Sequence, residues 1–211
     1  MTPRAAAFTP GVKIPFAVTW DYRCPFARIG HEHILTGLAA GAEWDVTFLA
    51  FSLDQSHVEE DGRPVWEEPD RYPGLTANLA GIVVRDRQPE HFLEVHQALF
   101  SARHEQSLDL RDRAIVGKVL DGAGVDGAGV LEEVDAGWPL EVLRDEHTSA
   151  VARHQVFGVP TFIAGSAAVF VRLMRRPEGD GDLARATVNR ILDMITGWPD
   201  LNEFKHTSLA N

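Results

Sequence analysis

The chain has a single cysteine, only three lysines and no excess of positive charge: 20 Lys and Arg stand against 31 Asp and Glu, a formal net charge of -11 over 211 residues. One cysteine can form no intrachain disulfide and build no cysteine-rich metal site, which makes a reducing cytoplasm the expected compartment. The acidic balance argues against nucleic acid and against an anionic membrane surface, since either partner requires a basic face that displaces counterions. It leaves room for a local basic patch that binds a small anion. No run is long and apolar enough to span a bilayer. Nor do the first thirteen residues read as a secretory leader, because Pro3, Pro10 and Gly11 flank their only apolar run, Ala5 to Phe8.

The 45% hydrophobic content with mixed charge is ordinary for a globular protein with a sizeable core. Ile14 to Trp20 (IPFAVTW) and Trp44 to Leu53 (WDVTFLAFSL) read as strands on either side of a helix, Arg28 to Ala40. The polar, acidic stretch from Ser52 to Pro73 reads as a loop. Five helical patterns follow: Leu75 to Val84, Pro89 to Arg103, Leu110 to Leu120, Gly129 to Ala136 and Pro139 to Val156. Strand signal returns at Thr161 to Ile163 and Ala167 to Val171, joined by Gly165 and Ser166 as a hairpin turn would be. A last helix, Leu183 to Ile195, has Asp182 or Asp180 as its N-cap. The order predicts an α/β fold with a mixed central sheet. Residues 14–53 and 157–196 would form a discontinuous domain, 74–156 an inserted all-helical subdomain and 197–211 a C-terminal tail.

Cys24 lies at the strand-to-helix turn in WDYRCPFA (Trp20 to Ala27). Pro25 suits a first helical position, where its missing N–H costs nothing, which makes Cys24 the N-cap. Free amides and the positive end of the helix dipole would then favour the thiolate, the reactive form. The alternative is an inert thiol packed as a small hydrophobe. Arg23 would help the thiolate and Asp21 oppose it if either pointed inward, with solvation of both as the default. Tyr22 and Phe26 would line an apolar wall, or Phe26 would pack the first helix. The second anchor is FGVPTF (Phe157 to Phe162), where Pro160 opens a strand at a position that tolerates a missing donor.

Taken together, the CPFA turn, the helical insertion, the VPTF entry to a hairpin and the final helix resemble the DsbA-like branch of the thioredoxin superfamily. Kappa-class glutathione transferases and hydroxychromene carboxylate isomerases belong to that branch. The resemblance spans about Ile14 to Ile195 and implies a thioredoxin-like fold, with Cys24 catalytic in a turn formed by Tyr22, Arg23, Pro25, Phe26 and Ala27. It also implies a cis Val159-Pro160 peptide beside the sulfur, with Val159 and Pro160 binding the thiol or substrate, and several relatives form homodimers. RRPEGD (Arg175 to Asp180) and WPDLNEFKHT (Trp198 to Thr207) are similar to segments of mycothiol-dependent reductases in this branch.

Disulfide oxidases of the family carry Cys-x-x-Cys, but the fourth position here is Ala27. Without a resolving thiol, Cys24 can form only a mixed disulfide or adduct that an external thiol must clear. The expectation is a cytoplasmic monothiol oxidoreductase or transferase acting on a small electrophile or disulfide. Mycothiol is the first choice of low-mass thiol, in line with an arginine-rich, high-GC coding bias, and glutathione the second. The rivals are a thiol-dependent isomerase or conjugating transferase, and a non-catalytic binding or chaperone module. No metal site is expected: His31 and His33 point to different faces, HEQS at His104 is not a zinc motif, and no carboxylate completes a set with His147 and His154. Gly122, Gly124 and Gly127 spell GxGxxG after a helix instead of a strand, so they read as cap and turn glycines.

Overall fold

The computed structural model describes residues 13–206. Of the stretch read for a leader only Lys13 lies within them, and residues 207–211 of the tail lie outside. Four strands form one mixed sheet, in which Trp44–Ala50, Ile14–Trp20, Thr161–Ala164 and Ala167–Phe170 lie side by side in that order. β1 (Ile14–Trp20) pairs in parallel with β2 (Trp44–Ala50), Ile14 opposite Trp44 and Trp20 opposite Ala50. A parallel pair requires a crossover, and α1 (Pro25–Ala39) supplies it. β3 (Thr161–Ala164) runs antiparallel to β1, and β4 (Ala167–Phe170) antiparallel to β3 through a turn in which Gly165 takes φ +60°.

Rings from three strands knit the sheet's core. Phe16 stacks on Phe162 with centroids 5.9 Å apart and meets the edge of Trp44 at 6.1 Å. α8 (Gly181–Gly197) packs beside α1 and buries Ala184, Val188, Ile191, Leu192 and Ile195, the spacing of an amphipathic stripe. Asp180 starts it, its carboxylate accepting the Leu183 N–H at 2.9 Å.

Between β2 and β3 the chain is helical: α2 (Leu53–Ser56), two short 3-10 turns (Val65–Glu67 and Pro69–Leu75), α3 (Thr76–Arg87), α4 (Pro89–His104), α5 (Arg113–Gly122), α6 (Gly127–Asp135) and α7 (Trp138–His154). α3 is buried at every position from Thr76 to Val84, because α4, α6 and α7 all pack against it. Two sequence expectations change. The second strand stops at Ala50, since Ser52 caps α2 by accepting the Gln55 N–H at 3.2 Å, so the polar stretch is not a plain loop. Gly127 opens α6, capped by Asp126, while Gly124, at φ +82°, makes the turn.

β2 is an edge strand, and side chains from the helical layer occupy the outer border of its last turns. Arg85 Nη1 donates to the Phe48 carbonyl at 2.9 Å, and the Ala50 N–H donates to Glu146 Oε2 at 2.6 Å. Arg85 and Glu146 are themselves paired at 2.8 Å.

Candidate active site

Cys24 caps α1 with extended backbone (φ -87°, ψ 118°), and its Sγ accepts the Ala27 N–H at 3.4 Å. On the opposite side the thiol donates to the Val159 carbonyl at 3.2 Å, joining positions 135 residues apart. The Val159–Pro160 peptide is cis. Pro160 approaches because Gly30 of α1 has no side chain: a Cβ there would sit 2.9 Å from Pro160 Cγ. The structure thus joins Cys24 to Val159 and sets Pro160, the next residue, against Gly30 of the same helix, with Pro25 exposed, Phe26 half-buried and Ala27 fully buried.

The electrostatics differ from the sequence expectation. Cys24 is only 8% exposed. Burial pushes its thiol up, against amide donation from Ala27 and Phe26, and the Asp21 carboxylate adds to the rise. The helix start therefore supplies the donors anticipated, but desolvation of the charged form outweighs them.

Asp21 and Arg23 are not solvated surface charges. Asp21 is 1% exposed and accepts the Arg23 N–H at 2.9 Å, the Arg23 guanidinium at 3.0 Å and the Leu53 N–H at 2.9 Å. Arg23 also pairs with Asp54 at 2.7 Å, so its charge is spent on two carboxylates and not on the sulfur. The Asp21→Asn variant is expected to lose about 2 kcal/mol of stability, because a buried charge-assisted set is broken. The pH midpoint of Cys24 alkylation will move down, because a neighbouring negative charge is gone. Denaturant titration and iodoacetamide labelling across pH read the two effects, and an unmoved midpoint would show that Asp21 does not act on the thiol.

Tyr22 forms no substrate wall. It is fully buried, its N–H bonded to Asn78 Oδ1 at 3.2 Å and its hydroxyl 2.8 Å from His96 Nδ1. His96 Nε2 is 2.9 Å from His31 Nδ1, and His31 Nε2 is 3.0 Å from the Thr19 carbonyl. That carbonyl can only accept, which fixes every proton in the chain. His31 carries its hydrogen on Nε2, His96 donates from Nε2, and the Tyr22 O–H donates to His96 Nδ1. Desolvation lowers the pKa of His31 to about 4 and that of His96 well below the usual histidine range, so both rings are neutral. Gly81 admits the Tyr22 hydroxyl, which would lie 2.5 Å from a Cβ at that position. His104 Nε2 donates to the Tyr22 carbonyl at 2.9 Å, pinning the turn from a third side. The sequence names His31 and His104 only as metal-ligand candidates to be set aside, and does not single out Thr19, Asn78, Gly81 or His96. The available signal was a histidine at position 96 on the otherwise apolar face of Phe92, Val95, Leu99 and Phe100.

An aromatic and cationic cluster flanks the start of α1. Phe157 is 70% exposed, and its ring centroid lies 5.2 Å from that of Phe170. The Arg172 guanidinium lies over the rings of both Phe26 and Phe170, at 5.4 and 5.9 Å from their centroids. His33 bonds the Arg175 carbonyl at 3.0 Å, and no group of three or more metal-ligating side chains occurs among the described residues. No helix among them is long and apolar enough to cross a membrane.

Similar folds recur among solved structures. A probable DsbA oxidoreductase from Streptomyces coelicolor is 15% identical, with a TM-score of 0.56 over 92% of this chain and 93% of that one. A 2-hydroxychromene-2-carboxylate isomerase is 14% identical, with a TM-score of 0.60 over 90% and 100%. DsbA from Pseudomonas aeruginosa is 20% identical, with a TM-score of 0.53 over 90% and 91%. At these identities the likeness shows the fold. No curated protein matches the chain in sequence. The family model of the DsbA-like thioredoxin domain matches residues 18–174, well over half of the chain. The protein therefore belongs to the DsbA-like thioredoxin domain family.

Proposed function

We propose that the protein is a cytoplasmic monothiol oxidoreductase or transferase in which Cys24 exchanges with a low-mass thiol, mycothiol or glutathione, and with a small disulfide or electrophilic substrate. The observation that carries this reading is the placement of Sγ between the α1 amides and the Val159 carbonyl, with Ala27 where a resolving thiol would stand. The Cys24 thiolate attacks one sulfur of a disulfide RSSR. The S–S bond breaks, one RS⁻ departs and takes a proton from water, and Cys24 is left as a mixed disulfide. A low-mass thiol R'SH, as its thiolate, attacks that bond, restoring Cys24 and leaving R'SSR; a second R'SH then displaces RS⁻ from R'SSR, so that overall two R'SH are oxidised to R'SSR' for each RSSR reduced to two RSH.

An ordinary cysteine is only a few per cent thiolate near pH 7, and the upward shift at Cys24 leaves less. The thiolate that does form is the more nucleophilic for its higher pKa, which recovers part of the rate. Incubation with oxidised thiol is expected to add one thiol mass per chain, localised to Cys24 and removed by excess free thiol. No adduct under conditions that modify a control thioltransferase would reject the exchange chemistry.

The raised thiol pKa favours a second reading. In a thiol-dependent isomerase or conjugating transferase the bound co-substrate supplies the reacting sulfur, and a protonated Cys24 need only donate a hydrogen bond. A binding module without catalysis would show neither an adduct nor thiol-dependent turnover.

A further inference from the structure

We infer that Arg172 receives a carboxylate on the molecule that reacts at Cys24. Arg172 bridges the start of α1 and the end of β4. One of its stacking rings, Phe26, sits at the start of α1, two positions beyond the sulfur. The other, Phe170, packs against the opposite loop: a Cβ on Gly158 would lie 3.3 Å from its ring. Val171, the residue before Arg172, donates its N–H to the Pro160 carbonyl at 3.1 Å, which ties the arginine's backbone to the same loop.

Its charge is uncommitted in a chain of net charge -11. Other arginines around the site are consumed by acids: Arg23 by Asp21 and Asp54, Arg28 by Glu105, and Arg176 by Glu32 and Glu105. Arg172 has no acidic partner and makes no hydrogen bond among the described residues; its contacts are the two ring faces. Stacking holds a guanidinium while leaving its N–H fork able to bind a carboxylate in bidentate fashion. With the positive end of α1 nearby, an anion reaching the sulfur meets favourable potential from both the helix and the arginine.

The carboxylate has two sources: the low-mass thiol where that thiol is glutathione, since mycothiol carries no free carboxylate, or the electrophilic substrate. The inference rests on the exchange reading for the first and only on the reactivity of Cys24 for the second. Two matched reagent pairs separate them. Oxidised glutathione is compared with its ethyl ester, in which the carboxylates are masked, and iodoacetate with iodoacetamide. Intact-mass kinetics on the wild type and on Arg172→Gln give the charged-to-neutral rate ratio for each pair. This ratio cancels any change in the ionised fraction of the thiol.

Loss of one charge-assisted contact is expected to lower the ratio about tenfold in the variant. A drop in the glutathione pair places the carboxylate on the thiol, and a drop in the haloacetate pair places it on the electrophile. Unchanged ratios in both pairs overturn the inference. Should Cys24 alkylate but form no mixed disulfide with either glutathione form, the exchange reading fails by itself, and the haloacetate ratio alone decides for or against Arg172.

Discussion

Serine at position 24 is expected to end disulfide exchange while leaving the fold standing. The mixed disulfide cannot form on an oxygen, and turnover that depends on it should fall by roughly a thousandfold or more. The fold survives because serine is a good N-cap: its hydroxyl can accept the Ala27 N–H and donate to the Val159 carbonyl, the two contacts the thiol makes now. Unchanged urea unfolding together with lost activity separates chemistry from structure. The rival reading predicts otherwise, since an isomerase or conjugating transferase whose co-substrate carries the reactive sulfur would keep much of its turnover in Cys24→Ser. Retained thiol-dependent turnover in the variant would therefore move the assignment to that rival.

A steep loss of stability in mild acid is the second large effect. His31, fully buried, and His147, 5% exposed, each have a folded pKa of about 4, caused first by desolvation. The unfolded chain takes up protons near the ordinary histidine value of about 6.5. Between those values the unfolded state binds more protons, so stability is fully present above about pH 6.5 and drains away as pH falls toward the folded pKa. Each of the two histidines accounts for about 2 kcal/mol between pH 7 and pH 5, so about 4 kcal/mol goes, a large part of an ordinary domain's stability. His96 adds to this in the same direction. Urea midpoints measured from pH 7 to pH 5 check it, and a flat profile would mean that these rings are not held neutral in the folded state.

Much of the secondary structure was legible because local signals agreed with tertiary need. Pro25 and Cys24 mark the start of α1, Asp180 is the one of the two N-cap candidates that starts α8, and the apolar spacing of the last helix coincides with its buried stripe. Where reading failed, the signal was either short or distant. The Ser52–Gln55 stretch carries an S-x-x-Q capping pattern, but a four-residue helix inside an acidic, proline-bearing region is easily taken for loop.

At the site, sequence proximity identified the turn and not the direction of its side chains. Asp21 and Arg23 look like solvent charges, yet they close on each other and on the start of α2. Tyr22 looks like a ligand wall, but its partners Asn78 and His96 lie 56 and 74 residues away. The upward shift of Cys24 has the same origin: capping geometry is local, whereas desolvation depends on everything packed around it. Arg172 sits in a stretch of unremarkable pattern, and Phe157 opens the FGVPTF anchor with no role read for its ring; only the folded arrangement sets Arg172 over Phe26 and Phe170 and packs Phe157 on Phe170.

Arg85 and Glu146 also decide which visitors the sheet can accept. A strand from another molecule laid against β2 would need the Phe48 carbonyl and the Ala50 amide, and both are already engaged. Lateral growth of the sheet, the opening move of fibril formation, is thereby stopped at that border. The two guards stand on α3 and α7, so protection lasts only while the helices stay docked, and partial undocking would expose a sticky template before the rest of the protein came apart.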